Sequence, residues 1–250
     1  MKNVKVMVVA GEGINCEAET ASAFRQAGAE ASIVYIQEWM KNPKLLLDYQ
    51  ILAFPGGFSY GDELHSGQIL ALDLKYSVAS SLKEFIHKKG LILGVCNGFQ
   101  ILMKLGVFEN QNQDRTITLF HNDSFKFMDR WVKCHVPESK CVWTKGLKEL
   151  SLPVRHGEGR IVFKGDDELQ KSLYQNLVSS KQVALTYHED INGSYARIAG
   201  LTDSTGQILG LMPHPEAALE SALYPEGYHQ DPYLPLTLFK NAVQFSKEYV

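Results

Sequence analysis

Short apolar segments alternate with helical periods through the first 106 residues of the chain. Strands are predicted over 4–10, 32–36, 51–54 and 91–95, and helices over 16–28, 77–89 and 99–105. Gly106 can end the last of these helices in the left-handed conformation that favours glycine. Strands that alternate with helices form a parallel sheet covered on both faces, so this half of the chain predicts an α/β architecture.

The pattern changes after Gly106, where strand-like segments follow one another with no predicted helix between them. These strands are predicted over 116–120, 130–136, 154–163, 183–187, 194–201 and 207–212, and a final helix over 236–249. We find no internal repeat, low-complexity tract or linker. The prediction is one domain over residues 1–250, with a central, mostly parallel sheet flanked by helices and an antiparallel extension toward the C-terminus.

Composition and charge exclude several classes of function. The chain is 45% hydrophobic and 21% charged, with a net charge of −3, so it has no basic footprint for nucleic acid. Its apolar runs are shorter than the roughly 20 residues that cross a bilayer. The four cysteines lack the Cys-x-x-Cys spacing of a zinc site or a disulfide framework. We therefore predict a cytoplasmic protein with reduced thiols and no nucleic-acid or membrane partner.

A candidate nucleophile lies in the segment Gly94-Val95-Cys96-Asn97-Gly98, between the strand at 91–95 and the helix at 99–105. Glycines on both sides of a cysteine are typical of a sharp strand-to-helix turn that exposes a reactive side chain. The helix N-terminus favours a negative charge on the sulfur. The alternative is an inert, buried cysteine, which is the commoner role of this residue type.

A candidate base follows the apolar run at 208–211, in the segment Pro213-His214-Pro215-Glu216. Glu216 is placed to orient the imidazole of His214. Cysteine, histidine and glutamate in this order make a nucleophilic constellation, and the assignment of His214 depends on that of Cys96.

Two further features are expected to complete this site. Gly56-Gly57 follows the strand at 51–54, and the N–H groups of Gly57 and Asn97 are candidates for an oxyanion hole. An ordinary glycine turn is the alternative. Gln100 lies one helical turn after Cys96 and can face the same pocket, although a solvent-facing glutamine is also compatible with the sequence. The segment 11–16 lacks the third glycine of a dinucleotide loop and predicts only a tight turn.

Motifs across nearly the whole chain resemble those of one enzyme class. They are similar, in the same order, to motifs of the class I (triad) glutamine amidotransferases, and within that class to the glutaminase subunits of phosphoribosylformylglycinamidine synthases. The matching segments are FPGGFSYGD at 54–62, GVCNGFQIL at 94–102, HNDS at 121–124, HGEG at 156–159, NGS at 192–194, IAG at 198–200 and GLMPHPE at 210–216.

The resemblance implies a flavodoxin-like α/β fold and a role for each residue of the candidate site. Cys96 would attack the side-chain amide of glutamine, with the oxyanion on the backbone of Gly57 and Asn97. His214 would protonate the leaving ammonia and then activate the water that hydrolyses the glutamyl thioester, while Glu216 holds the imidazole.

The resemblance also assigns substrate contacts and partners. Gln100 and the segment Asn122-Asp123-Ser124 would bind the α-amino and α-carboxylate groups of L-glutamine. His156 and Glu158 would lie away from the triad, near the partner. The partners would be a large synthetase subunit, which would bind ATP and Mg²⁺, and a small bridging subunit. This chain itself would need no cofactor or metal.

Two positions differ from the family pattern. His65 and Ala217 stand where relatives often carry arginine. Three alternatives stay open at the level of sequence: an amidotransferase subunit that serves another synthetase, a free-standing cysteine hydrolase, and an inactive regulatory module.

Overall fold

A computed structural model describes residues 3–62, 65–109, 115–228, 230–231 and 233–250. These residues form eleven strands and seven α-helices. The strands are β1 (Lys5–Ala10), β2 (Glu30–Tyr35), β3 (Ile51–Phe54), β4 (Leu91–Val95), β5 (Ile117–His121), β6 (Met128–His135), β7 (Glu149–His156), β8 (Glu158–Phe163), β9 (Val183–Tyr187), β10 (Ile198–Thr202) and β11 (Ile208–Leu211). The helices are α1 (Glu17–Gln26), α2 (Ile36–Lys41), α3 (Gln68–Ser77), α4 (Ala79–His87), α5 (Asn97–Leu105), α6 (Asp167–Ser179) and α7 (Tyr233–Tyr249).

Nine of the strands form one sheet in the order β2-β1-β3-β4-β11-β10-β9-β6-β7. Neighbouring strands are parallel from β2 to β11 and antiparallel from β11 to β7. Strands β5 and β8 form a separate antiparallel pair. This mixed sheet confirms the predicted α/β fold class, with its parallel half and antiparallel extension.

The central strands owe their position to uninterrupted apolar sequence. Every residue of β3 and of β4 is buried. Strands without polar alternation are covered on both faces, as in the middle of a parallel sheet. The core therefore continues across both faces of this part of the sheet.

Strand β11 is the last strand along the chain. It lies beside β4 in the sheet, although nearly half of the chain separates the two strands. The two strands are parallel, with Leu211 opposite Val95, and β3 flanks β4 on its other side, with Phe54 opposite Gly94. The carboxyl ends of the three strands therefore meet at one edge of the sheet. Active sites of open α/β sheets form at this edge.

The structure corrects the predicted elements at one strand and three helices. The single strand predicted over 154–163 is two strands, β7 and β8, which are separated by Gly157. Helices α2, α3 and α6 were not predicted. Helix α6 has only one buried residue, Leu177, so the sequence of this helix shows a weak apolar period. Its N-terminus is capped by Asp166, whose side chain accepts a hydrogen bond from the Leu169 N–H over 3.0 Å. Among the helices of the described ranges, none is long and apolar enough to cross a bilayer.

Candidate active site

Cys96 forms the turn between β4 and α5. Its backbone has φ 51° and ψ −107°, a conformation that non-glycine residues rarely adopt. The Cys96 N–H donates to the Leu211 carbonyl oxygen over 2.8 Å, and the thiol donates to the Arg155 carbonyl oxygen over 3.4 Å. The side chain is 5% exposed. The rest of the structure thus holds a strained cysteine at the end of β4, as the sequence predicts.

The glycines that flank Cys96 allow close packing. Neither Gly94 nor Gly98 has a positive φ. A Cβ atom on Gly98 would lie 1.9 Å from the carbonyl oxygen of Phe54, and one on Gly94 would lie 2.7 Å from the backbone of Gly98. Glycine at these positions lets α5 approach β3 and β4, while Cys96 itself adopts the unusual dihedral angles.

His214 follows β11 and is oriented from both sides. The backbone N–H of His214 donates to the Pro153 carbonyl oxygen over 2.8 Å. Its Nδ1 lies 2.6 Å from Oε1 of Glu216, and both side chains are buried. The ring Nε2 is buried and has no hydrogen-bond partner among the described residues. Glu216 therefore fixes the ring, while Nε2 stays available for proton transfer.

The surroundings of His214 favour its protonated form. Burial by itself would lower the pKa of His214, but the Glu216 carboxylate and the Cys16 and Cys96 side chains raise it well above its ordinary value. The imidazole is thus charged at neutral pH, which suits a group that must donate a proton. The proximity of Cys16 to this ring gave no signal in the sequence.

The backbone at Gly57 is held by the loop before α1. The Gly56 carbonyl oxygen accepts hydrogen bonds from the N–H groups of Asn15 and Cys16, each over 3.3 Å, and the Phe58 N–H donates to the Gly13 carbonyl oxygen over 2.7 Å. Because the C=O and N–H of a trans peptide point in opposite directions, the Gly57 N–H faces away from this loop. Gly57 also lines the cavity that contains Cys96. This arrangement suits an oxyanion-hole donor. The tight turn predicted over residues 11–16 therefore helps to hold the Gly57 peptide in place.

Cys96 opens onto a cavity of about 510 Å³, large enough for an amino-acid substrate. Three residues of the predicted site line it: Cys96, Gly57 and Gln100. The other lining residues are Phe58, Asp62, His65, Ser66, His121, Phe127, Arg155, His156, Gly157 and Glu158.

Gln100 and Asn97 hold one another in place beside this cavity. The Gln100 side chain donates to the Glu158 carbonyl oxygen over 2.5 Å and accepts from the Asn97 amide over 3.0 Å. The Asn97 side-chain oxygen accepts from the Ser59 N–H over 3.2 Å. Gln100 is therefore buried in the wall rather than exposed to solvent.

The predicted substrate segment Asn122-Asp123-Ser124 lies outside the cavity wall. The Asn122 amide is buried and donates to the carbonyl oxygens of Lys126 and His156, while Asp123 and Ser124 are exposed. Binding of substrate by these three residues stays a prediction. In the structure Asn122 contacts His156, which lines the cavity.

His156 and Glu158 line the same cavity as Cys96, whereas the sequence resemblance places them away from the triad. Both are buried. Burial lowers the pKa of His156 to about 4, helped by the charge on His214. The sequence signal that could have revealed them was polar residues on both sides of Gly157, within an otherwise apolar segment.

Comparison with known proteins gives the class that this geometry indicates. Residues 3–246 match the CobB/CobQ-like glutamine amidotransferase domain family. The chain belongs to the class I glutamine amidotransferases, and it is a glutamine amidotransferase enzyme subunit.

Its relatives place it more narrowly, in the family of phosphoribosylformylglycinamidine synthase subunit PurQ. The protein of that name from Methanococcus maripaludis is 40% identical over 96% of this chain and 97% of its own. The one from Dehalococcoides mccartyi is 37% identical over 99% and 100%. The solved structure of PurLQS from Thermotoga maritima matches with a TM-score of 0.76 and 30% identity, covering 98% of this chain and 99% of that one.

Proposed function

We propose that this chain hydrolyses L-glutamine through a cysteinyl thioester on Cys96. The ammonia passes to a synthetase subunit that converts formylglycinamide ribonucleotide to formylglycinamidine ribonucleotide with ATP, in purine biosynthesis. The observation that carries the mechanism is the position of Cys96 and the His214–Glu216 pair at the adjacent ends of β4 and β11. The names of the relatives support the substrate and the pathway.

Acylation uses the charged form of His214. The thiol proton of Cys96 resides on His214, and the resulting thiolate attacks the side-chain carbonyl carbon of glutamine, forming the S–C bond and a tetrahedral oxyanion. The N–H groups of Gly57 and Asn97 stabilise this oxyanion. His214 donates the Nε2 proton to the leaving nitrogen as the C–N bond breaks, so ammonia departs and a thioester remains.

Deacylation reverses the role of His214. The neutral Nε2 accepts a proton from water as the water oxygen attacks the thioester carbon. The C–S bond then breaks, which releases glutamate and regenerates the thiolate beside a charged imidazole. Glu216 stabilises that charge through Nδ1 in both half-reactions, which matches its 2.6 Å contact.

Exposed aromatic side chains at the cavity mouth support a docking surface for the synthetase. Phe58 and Phe127 line the cavity, are 44% and 53% exposed, and have ring centroids 6.2 Å apart. Phe125, in the same loop as Phe127, is 78% exposed. Exposed apolar groups of this kind mark surfaces that a partner covers. ATP and Mg²⁺ are assigned to that partner, because the sequence carries no phosphate-binding or dinucleotide motif.

The test is glutamine turnover by the isolated chain and then with the synthetase subunit, ATP and formylglycinamide ribonucleotide. We expect slow glutaminase activity alone and a large increase in the complete mixture, with ammonia transferred to the ribonucleotide. Full activity alone, with no response to the partner, would instead favour a free-standing hydrolase.

A further inference from the structure

Three potential metal ligands meet in the wall of the active-site cavity. They are the imidazoles of His65 and His121 and the carboxylate of Glu158, whose ligand atoms all lie within 4.8 Å of one another. None of the three belongs to the triad. Two imidazoles and one carboxylate form a donor set that zinc uses where a fourth position is left open.

The backbone brings these side chains together. His121 ends β5 and Glu158 begins β8, and the two residues are paired across the antiparallel strands. A register shift between Phe120 and His121 places Glu158, rather than Gly159, opposite His121. Ser66, which follows His65, joins the third ligand to this pair because its hydroxyl donates to Oε2 of Glu158 over 3.3 Å.

The spacing can close on a metal ion. Zinc bonds of about 2.0–2.2 Å place the ligand atoms of a tetrahedral site roughly 3.5 Å apart. The side chains must therefore move together by about 1 Å. His65 and His121 are exposed, whereas Glu158 is buried and accepts a hydrogen bond from Ser66.

Glu158 interacts with charges of both signs, the Lys104 ammonium and the Asp62 carboxylate, and the second of these favours a bound cation. Asp62 also lines the cavity and shares the Ser66 hydroxyl with Glu158. Burial raises the pKa of Asp62, and the nearby negative charge of Glu158 raises it further, against the effect of the Ser66 hydrogen bond. A bound cation would relieve the repulsion between the two carboxylates.

We propose that His65, His121 and Glu158 bind a zinc-type divalent cation in the wall of the cavity that leads to Cys96. A cation there would narrow access to the nucleophile and slow glutamine hydrolysis, a consequence that rests on the proposed function. Binding of the metal does not depend on that function. The three ligands are far apart in the sequence, so they form no spacing motif by which the site could be predicted.

Zinc affinity measured by competition with a chromophoric chelator tests the site directly. The background is the Cys16→Ser/Cys96→Ala protein, which removes both thiols that lie near His214. We expect this protein to bind one Zn²⁺, and the added substitution His121→Ala or His65→Arg to weaken that binding at least tenfold. The added change His188→Ala is the matched control. This half-exposed imidazole lies 3.4 Å from Glu149, and the described residues place no third ligand beside the pair.

Circular dichroism of each variant checks that the fold is retained. Tenfold weakening in the His65 and His121 variants, with the control unchanged, supports the site. Equal affinity in all the variants, or no Zn²⁺ bound by the background protein, overturns it. Because the measurement uses no glutamine, its outcome is separate from that of the glutaminase experiment.

Discussion

The side-chain oxygen of Asn122 lies 3.0 Å from Nδ1 of His156, and both groups are buried. The Asn122 amide nitrogen donates to two backbone carbonyl oxygens, so its oxygen must be the acceptor and Nδ1 must carry the proton. Nε2 of the neutral ring is therefore an acceptor, and it has no partner among the described residues. This imidazole is held neutral close to one that is held charged.

That difference predicts how acid affects folding. His156 titrates near its ordinary pKa in the unfolded chain but at about 4 in the folded one. As the pH falls from 6.5 toward 4, the unfolded state gains a proton that the folded state cannot, so stability declines. At pH 5 this group lowers the free energy of unfolding by about 2 kcal/mol. Urea titrations at pH 7 and pH 5 should show a smaller decline for His156→Gln than for wild type. His188→Ala should match wild type, and an unaltered decline in His156→Gln would show that this ring is not the cause.

Cys96→Ala tests the nucleophile. Glutaminase activity should fall by roughly 10⁴–10⁶, as for other enzymes that lose a covalent nucleophile. The far-ultraviolet circular dichroism spectrum should be unchanged. In the complex with the synthetase, the same variant should still form product from added ammonium salts, since only the supply of ammonia is lost. Labelling of wild type by an electrophilic glutamine analogue at another cysteine, with Cys96 unmodified, would reject this role.

Glu216→Gln tests the charge on His214. The carboxylate is the main group that raises the pKa of His214, against burial. In wild type the ring stays protonated through neutral pH, and its loss of a proton should lower kcat/KM at the alkaline side. In Glu216→Gln the pKa drops, so that fall should move to lower pH. Some activity should survive, more than in His214→Ala.

Cys16→Ser is the matched comparison, because Cys16 also raises the pKa of His214. Its alkaline limb should move in the same direction by a smaller amount. If the pH profiles of Glu216→Gln and wild type coincide, Glu216 does not maintain the imidazolium.

Gly57→Ala tests the oxyanion hole. A Cβ atom here would lie 2.5 Å from the Gly13 carbonyl oxygen, and the φ of 147° is unfavourable for alanine. The peptide should shift and kcat should fall roughly 10²–10³-fold, as when one oxyanion donor is lost. Gly28→Ala is the control, since φ is 86° there and no atom lies within 4 Å of the added carbon. A similar loss of kcat in both variants would point to general destabilisation.

Phe125→Ser tests the docking surface. Phe125 is outside the cavity wall, so the isolated chain should keep its glutaminase rate while the Kd for the synthetase rises at least about fivefold. Tyr249→Ser is the control. Tyr249 is 55% exposed and lies under the ammonium of Lys89, which precedes β4, whereas Cys96 follows that strand. An unchanged Kd in Phe125→Ser would place the interface elsewhere.

Sequence patterns predicted those parts of the fold and site that depend on neighbours along the chain. The apolar run of β4 and the glycines around Cys96 predicted the elbow, and Pro213-His214-Pro215-Glu216 predicted the pair that the structure brings within 2.6 Å. These features were predicted correctly because each depends on residues that are close together in the sequence.

Contacts between distant segments of the chain were not predicted. Nothing local to Cys16 indicates that it lies beside His214, and His121 meets Glu158 only through strand pairing. The break at Gly157 was missed because both flanking segments are strands, and the turn inserts a single residue between them. Tertiary contacts of this kind carry no period in the sequence.

The insertion of β11 between β4 and β10 has a consequence for the order of folding. The strand before His214 is synthesised long after the one before Cys96, and until it arrives β4 presents an unpaired edge. A ribosome-bound chain therefore holds its nucleophile without its base while residues 97–213 are synthesised. Pairing of such distant segments is slow. The arrival of β11 both completes the sheet and brings His214 beside Cys96. Nascent chains should not hydrolyse glutamine until β11 and the segment that contains His214 have emerged.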